Sequence, residues 1–96
     1  MSEILDAAVA ALTEKLGGAD IGGVVKFAID GAGAVLIDGE GARVSDDPAD
    51  VTLVADADTF QGIMSGDVNP TSAFMTGKLK VDGDMGLAMK LASMMG

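Results

Sequence analysis

The stretch NPTSAFMTGKLKVDGDMGLAMKLASMM, residues 69–95, specifies three secondary-structure elements in succession. It opens with Asn69-Pro70, a helix cap followed by proline at the first helical position, so a short helix is expected here. Residues 78–82, KLKVD, then alternate between polar and apolar side chains, which predicts a half-exposed β-strand. The remainder predicts a final helix.

That final helix, expected over residues 85–95 after a turn at Gly83-Asp84, is apolar almost all the way round. Its apolar side chains form two stripes, whereas a surface helix of a two-layer domain normally needs one. Because small side chains allow close approach, we expect the stripe with Ala88 and Ala92 to pack on a sheet. The other stripe would then face a cavity or a partner. The stripes are Met85, Ala88, Met89 and Ala92, and Leu87, Leu91, Met94 and Met95.

The first half of the chain predicts one helix and four strands. Apolar residues recur at helical spacing over residues 2–16, with Ser2 as a cap and Gly17-Gly18 as the stop. Short β-rich runs separated by turn residues follow, and this pattern is typical of an antiparallel meander. The runs are VVKFAID (24–30), AVLID (34–38), ARV (42–44) and VTLVA (51–55).

A middle helix is predicted after the fourth run. Asp56 or Asp58 can cap it and Gly66 can end it. The element order is therefore helix, four strands, two helices, strand, helix. One face of the middle helix carries apolar side chains at helical spacing, namely Phe60, Ile63 and Met64.

Composition and charge restrict the class of protein. A length of 96 residues predicts one domain, residues 1–96. The chain is 49% hydrophobic, lacks cysteine, and has neither a signal-peptide pattern nor an apolar run of about 20 residues, so we expect a soluble, cytoplasmic protein. The net charge of −9 is uneven, with −10 over residues 1–77 and +1 over residues 78–96. Nucleic acid is therefore not an expected partner, because phosphates require clustered basic residues.

Most catalytic chemistry lacks its usual residues here. With no histidine and no cysteine, the common proton shuttle, thiol nucleophile and metal ligand are all missing. Serine-lysine chemistry stays formally open, and the acidic run at residues 46–50 could collect a calcium ion, although solvated loop charge explains it better. We therefore expect no enzyme activity, no cofactor and no metal site.

The motifs of residues 69–95 resemble the C-terminal signature of the sterol carrier protein 2 family. Upstream, IGGVVKFAID (21–30) resembles the family's first strand, and residues 50–70 resemble its fourth strand and following helix. The resemblance covers residues 4–95 and suggests a small, stand-alone, bacterial-type member. It implies an α/β chain of the α+β type, with a five-stranded, mostly antiparallel sheet covered by helices that enclose a hydrophobic tunnel. The matching positions are Asn69-Pro70, Ala73 to Met75, Gly77 to Lys80, Gly83 and Met85 to Leu91.

The resemblance further implies a non-enzymatic intracellular carrier of fatty acid, fatty acyl-CoA, phospholipid or sterol-like ligands. Lysines of the C-terminal segment, Lys78, Lys80 or Lys90, can hold a ligand head group, the alternative being ordinary solvated lysine. The expected tunnel-lining residues come from the last three helices and are Phe60, Ile63, Met64, Phe74, Met75, Met85, Leu87, Met89, Leu91, Met94 and Met95.

A second hypothesis is that the surplus apolar stripe of the last helix serves protein interaction. It would then be buried between two copies of the chain or against a lipid-metabolising enzyme. Methionine suits either use, because its flexible, polarisable side chain adapts to varied apolar partners. The expected partners are thus a hydrophobic lipid and, transiently, a membrane, and the expected state is a monomer or a weak homodimer.

Overall fold

A computed structural model describes residues 3–16, 22–39 and 41–95. The predicted cap at Ser2 and stop at Gly17-Gly18 lie outside these residues. The described elements follow the predicted order, with each boundary within a few residues of expectation. They are α1 (Glu3–Leu16), β1 (Val25–Asp30), β2 (Gly33–Asp38), β3 (Gly41–Val44), β4 (Val51–Asp56), α2 (Ala57–Ser65), α3 (Pro70–Met75), β5 (Lys80–Gly83) and α4 (Met85–Met95).

The strands form one five-stranded mixed sheet in the order β3-β2-β1-β4-β5. All neighbours are antiparallel except β1 and β4, which are parallel with Phe27 opposite Leu53. The predicted four-strand antiparallel meander is therefore wrong for β4, since only β1 to β3 form a meander. Residues 45–50, expected to be a simple turn, instead cross over β2 and β1, so that β4 lies beside β1 rather than beside β3.

Polar contacts fix this crossover on the sheet. The Asp50 backbone N–H donates to the Val24 carbonyl oxygen at 2.9 Å, and the Asp50 carboxylate accepts from the Val24 N–H at 2.9 Å. Lys26 Nζ lies 3.2 Å from the Asp46 carboxylate. Leu36 is paired with Lys26, lies on the same face, and is buried. Both faces of the sheet are thus partly shielded from solvent. The helices cover one face, and the crossover segment covers part of the other.

The helices pack on the other face and form the main core with it. Alternate residues of β1 and β4 point into this core, as the strand alternation predicts. They meet one buried stripe from α1 and buried residues from α2 and α4. Among the described residues, no helix is long and apolar enough to cross a membrane. The buried strand and helix residues include Val25, Phe27, Ile29, Val51, Leu53, Ala55, Leu5, Ala8, Leu12, Phe60, Ile63, Leu87 and Leu91.

Capping side chains begin the three C-terminal helices where the sequence predicts. Asp56, rather than Asp58, caps α2 and accepts from the Thr59 N–H at 2.7 Å. This hydrogen bond is the main reason that the pKa of Asp56 lies below its usual value, with a smaller contribution from Lys78. Asn69 caps α3 through the Thr71 N–H at 2.8 Å. The Asp84 carboxylate likewise accepts from the Leu87 N–H at the start of α4, at 3.2 Å.

Candidate functional site

An apolar cavity of about 250 Å³ lies between the sheet and helices α2, α3 and α4. We call it the α3/α4 cavity. Among the residues that the structure describes, Thr71 is the one lining residue with a polar side chain. The lining residues are Phe27, Leu53, Ile63, Pro70, Thr71, Phe74, Met75, Leu79, Val81, Met85, Ala88, Met89 and Leu91.

Strand register builds the floor of this cavity. Phe27 on β1 is opposite Leu53 on β4, and Leu53 is opposite Val81 on β5. Directly opposite residues point to the same face of a sheet, so these three side chains form one row across three neighbouring strands. Leu79 extends the row because it is two residues before Val81 and shares its face. The floor is therefore apolar, with Phe27, Leu53 and Val81 held by the hydrogen-bonded sheet and Leu79 immediately before β5.

The mouth of the cavity is framed by exposed apolar side chains from α3 and α4. Met75 is 79% exposed and Met89 is 66% exposed, while Phe74 and Met85 are each 43% exposed. Within the described part of the chain, five large hydrophobic residues are exposed, and these four line the same cavity. We call them the apolar rim. Isolated exposed hydrophobic residues are common, but a cluster at a cavity mouth indicates a binding surface.

The three lysines of the C-terminal segment are not among the described lining residues. Lys80 alternates with Leu79 and Val81 and so points to the opposite face of the sheet. Lys78 contributes to the lowered pKa of Asp56, which places it near the start of α2. Lys90 Nζ lies beside Gly22, where an added methyl group would be 3.4 Å from it. The described cavity lining therefore contains no charged side chain.

Comparison with known proteins identifies the family of this chain. The model of the SCP-2 sterol transfer family matches residues 4–96. The chain belongs to this family. It is 45% identical over 85 residues to human sterol carrier protein 2, covering 77% of this chain and 15% of that protein. It is also 40% identical over 82 residues to hydroxysteroid dehydrogenase-like protein 2 of Xenopus tropicalis, covering 77% of this chain and 20% of that protein.

Solved SCP-2 structures have the same fold. The solution structure of Aedes aegypti sterol carrier protein 2 in complex with palmitate matches with a TM-score of 0.79 and 26% identity. The match covers 100% of this chain and 97% of that one. The chain spans a fifth or less of the two curated relatives above, yet it spans almost all of this SCP-2 structure. The α+β fold expected from the resemblance is thus confirmed.

The structure divides the sequence-predicted site residues among three places. Phe60 and Met64 line a second cavity of about 290 Å³ between α1 and α2, which we call the α1/α2 cavity. Leu87 is buried but lines neither cavity. The side chains of Met94 and Met95 lie outside those that the structure describes. The predicted residues that line the α3/α4 cavity are Ile63, Phe74, Met75, Met85, Met89 and Leu91.

The predicted facing of α4 is correct for Leu91, which lines the α3/α4 cavity, but wrong for Ala88 and Leu87. Ala88, expected to pack closely on the sheet, lines the α3/α4 cavity together with Met85 and Met89. Leu87, expected to face the cavity, packs against Gly23, where an added methyl group would be 2.9 Å from Leu87 Cδ2. The glycine leaves a slot that a leucine fills. A helical-wheel projection of α4 shows two apolar stripes but cannot reveal this slot, because Gly23 lies in another part of the chain.

Sequence reasoning also missed several lining residues. Strand alternation predicts the lining residues on β1, β4 and β5, but only if the parallel pairing of β1 and β4 is already known. Thr71 and Pro70 belong to α3, whose wall-facing side is too short to show a periodicity. The missed residues are Phe27, Leu53, Pro70, Thr71, Leu79, Val81 and Ala88.

Proposed function

We propose that this SCP-2 domain is a non-enzymatic carrier of lipids with acyl chains, which it holds in the α3/α4 cavity. The observation that carries the proposal is an uncharged, apolar cavity whose mouth is framed by the apolar rim. Membership of the SCP-2 sterol transfer family supports it, as does the palmitate held by the structurally similar Aedes aegypti protein. Fatty acid, fatty acyl-CoA, phospholipid and sterol-like molecules are the candidate ligands.

Apolar burial alone is sufficient for useful affinity. Each methylene removed from water contributes about 0.8 kcal/mol, so a chain that buries about twelve methylenes gains on the order of 10 kcal/mol before association costs. Because the described wall has no cation, the head group would stay at the mouth, where Thr71 offers a hydroxyl. We therefore expect selection by the chain rather than by the head group, and flexible chains should fit better than a rigid sterol ring system.

The carrier role is proposed without catalysis. The sequence has neither histidine nor cysteine, and the described lining residues include no acid or base that could exchange a proton with a ligand. The dehydrogenase in the name of the Xenopus tropicalis relative is not transferred to this chain, because the chain covers only 20% of that protein.

The apolar rim has a proposed role in lipid exchange. A ligand leaving the cavity for water would expose its whole chain at the cost given above. If the rim touches a membrane transiently, the chain passes from one apolar environment to another. The exposure of Met75 and Met89 suits this use, since flexible methionine side chains adapt to a fluid partner.

The same exposure favours a second candidate function, protein interaction. The rim can be buried between two copies, which makes a weak homodimer, although each copy carries a charge of −9 and the copies repel. Sedimentation velocity with and without palmitate separates the two functions. A carrier stays monomeric in both conditions, whereas an interaction module is dimeric without ligand.

A titration tests the carrier function. Protein freed of lipid is mixed with a fluorescent fatty acid, and we expect a saturable signal at one site per chain with micromolar affinity. Unlabelled palmitate should displace the probe. A linear, non-saturable signal would contradict the proposal.

A further inference from the structure

The α1/α2 cavity and the α3/α4 cavity share helix α2 as a wall. Two consecutive α2 residues line different cavities, because they point about 100° apart around the helix axis: Ile63 lines the α3/α4 cavity and Met64 lines the α1/α2 cavity. Helix α2 is therefore the partition between them. The α1/α2 cavity is lined by Ile4, Ala7, Ala8, Ala11, Phe60, Gln61, Met64 and Ser65.

A pair of phenylalanine rings in direct contact links the linings of the two cavities. Phe27 lines the α3/α4 cavity and Phe60 lines the α1/α2 cavity. Their ring centroids are 5.4 Å apart in an edge-on arrangement, and each residue is 2% exposed. This is direct ring-to-ring contact, so no further layer of side chains separates the two cavities at this point.

Cavity size gives a reason for the two to act together. Ligand pockets typically have volumes of about 300–1,000 Å³. The α3/α4 cavity, at about 250 Å³, is below this range, while the two cavities joined would reach roughly 540 Å³. A long acyl chain in the α3/α4 cavity alone would leave methylenes in water at its mouth, and each buried methylene is worth roughly fourfold in affinity.

We propose that the α1/α2 cavity is a second compartment of the lipid site and that the Phe60 ring is the specificity-determining partition between the compartments. A short chain occupies the α3/α4 cavity with Phe60 in place. A longer chain displaces the ring and extends along α2 into the space bordered by Ala7 and Ala11. Phe60 thus sets how affinity rises with chain length. This inference rests on the proposed carrier function.

Filling the second compartment from α1 tests the proposal without disturbing the partition. Ala11→Leu places about three extra carbons in the α1/α2 cavity, and Ala10→Leu, at an exposed neighbouring position on the same helix, is the matched control. We expect Ala11→Leu to weaken stearate binding at least tenfold and to change binding of the shorter laurate less than twofold. Ala10→Leu should leave both unchanged. Phe60→Leu should raise stearate affinity relative to laurate.

A structural readout accompanies the affinities. In isotope-filtered NMR with ¹³C-labelled stearate, contacts between the chain and the Ala7 and Ala11 methyl groups are expected in addition to contacts with Met85. Equal effects of Ala11→Leu on both fatty acids, or contacts confined to the α3/α4 cavity, would overturn the second compartment. If neither fatty acid binds the unmodified protein, the carrier function itself fails, and the two failures are therefore distinct.

Discussion

Substituting Ala88 by leucine should separate ligand binding from stability. Ala88 is on α4, is 5% exposed, and lines the α3/α4 cavity. Leucine adds about three carbons that project into space a ligand would otherwise fill. At about 0.8 kcal/mol per methylene, the ligand loses about 2.4 kcal/mol, which is a roughly 50-fold weaker affinity.

The same substitution should not destabilise the unliganded protein. The added carbons fill an existing void, so the free energy of unfolding should stay constant or rise by up to about 2 kcal/mol. In a fully packed core, by contrast, overpacking costs about 1–3 kcal/mol. Fluorescent fatty-acid displacement measures the affinity, and urea unfolding measures the stability. Ala10→Leu, at an exposed alanine on α1, controls for helix propensity and added surface.

An Ala88→Leu protein that binds fatty acid normally but unfolds more readily would show that Ala88 belongs to a closed core and that the cavity beside it does not hold the ligand.

Three further predictions follow from polar and backbone features. The three C-terminal lysines, Lys78, Lys80 and Lys90, lie outside the described lining. Replacing them together by glutamine should therefore change palmitate affinity less than about twofold in displacement assays. A tenfold loss of affinity would instead indicate that they bind the ligand head group. Gly83→Ala should lower Tm more than Gly31→Ala: both have positive φ, but only at Gly83 would the new methyl lie 2.5 Å from the Asp50 carbonyl oxygen. Asp56 has a lowered pKa in the folded protein, so its stabilising effect is complete above pH 3.8 and is lost as pH falls through the folded value. Asp56→Asn should reduce the fall in Tm at acidic pH. An unchanged dependence of Tm on pH would show that the Asp56 cap does not cause this fall.

Local signals account for what the sequence predicts well. Asn69-Pro70 starts α3 because both the cap and the fixed proline φ act within one turn. The alternation around Leu79 and the cap at Asp84 are equally local, so the element order after residue 69 is correct. Each of these features depends on neighbours in sequence, which a single chain displays directly.

The incorrect predictions concern features that depend on contacts between residues distant in sequence. The parallel pairing of β1 with β4 is fixed by Asp50 binding Val24, 26 residues away, while its loop has the composition of an ordinary turn. The facing of α4 is fixed by the slot at Gly23. Phe27 and Leu53 on the cavity floor follow from this strand pairing, and the lining residues of α4 follow from the facing of that helix. The cavity-lining residues were therefore predicted by type, as apolar and methionine-rich, better than by position.

Native mass spectrometry of the protein mixed with an equimolar amount of palmitate reports the stoichiometry of binding and the oligomeric state together. We predict a monomer with one palmitate bound, and a large loss of that species in the Ala88→Leu protein. A protein that stays free of lipid, above all as an empty dimer, would contradict it.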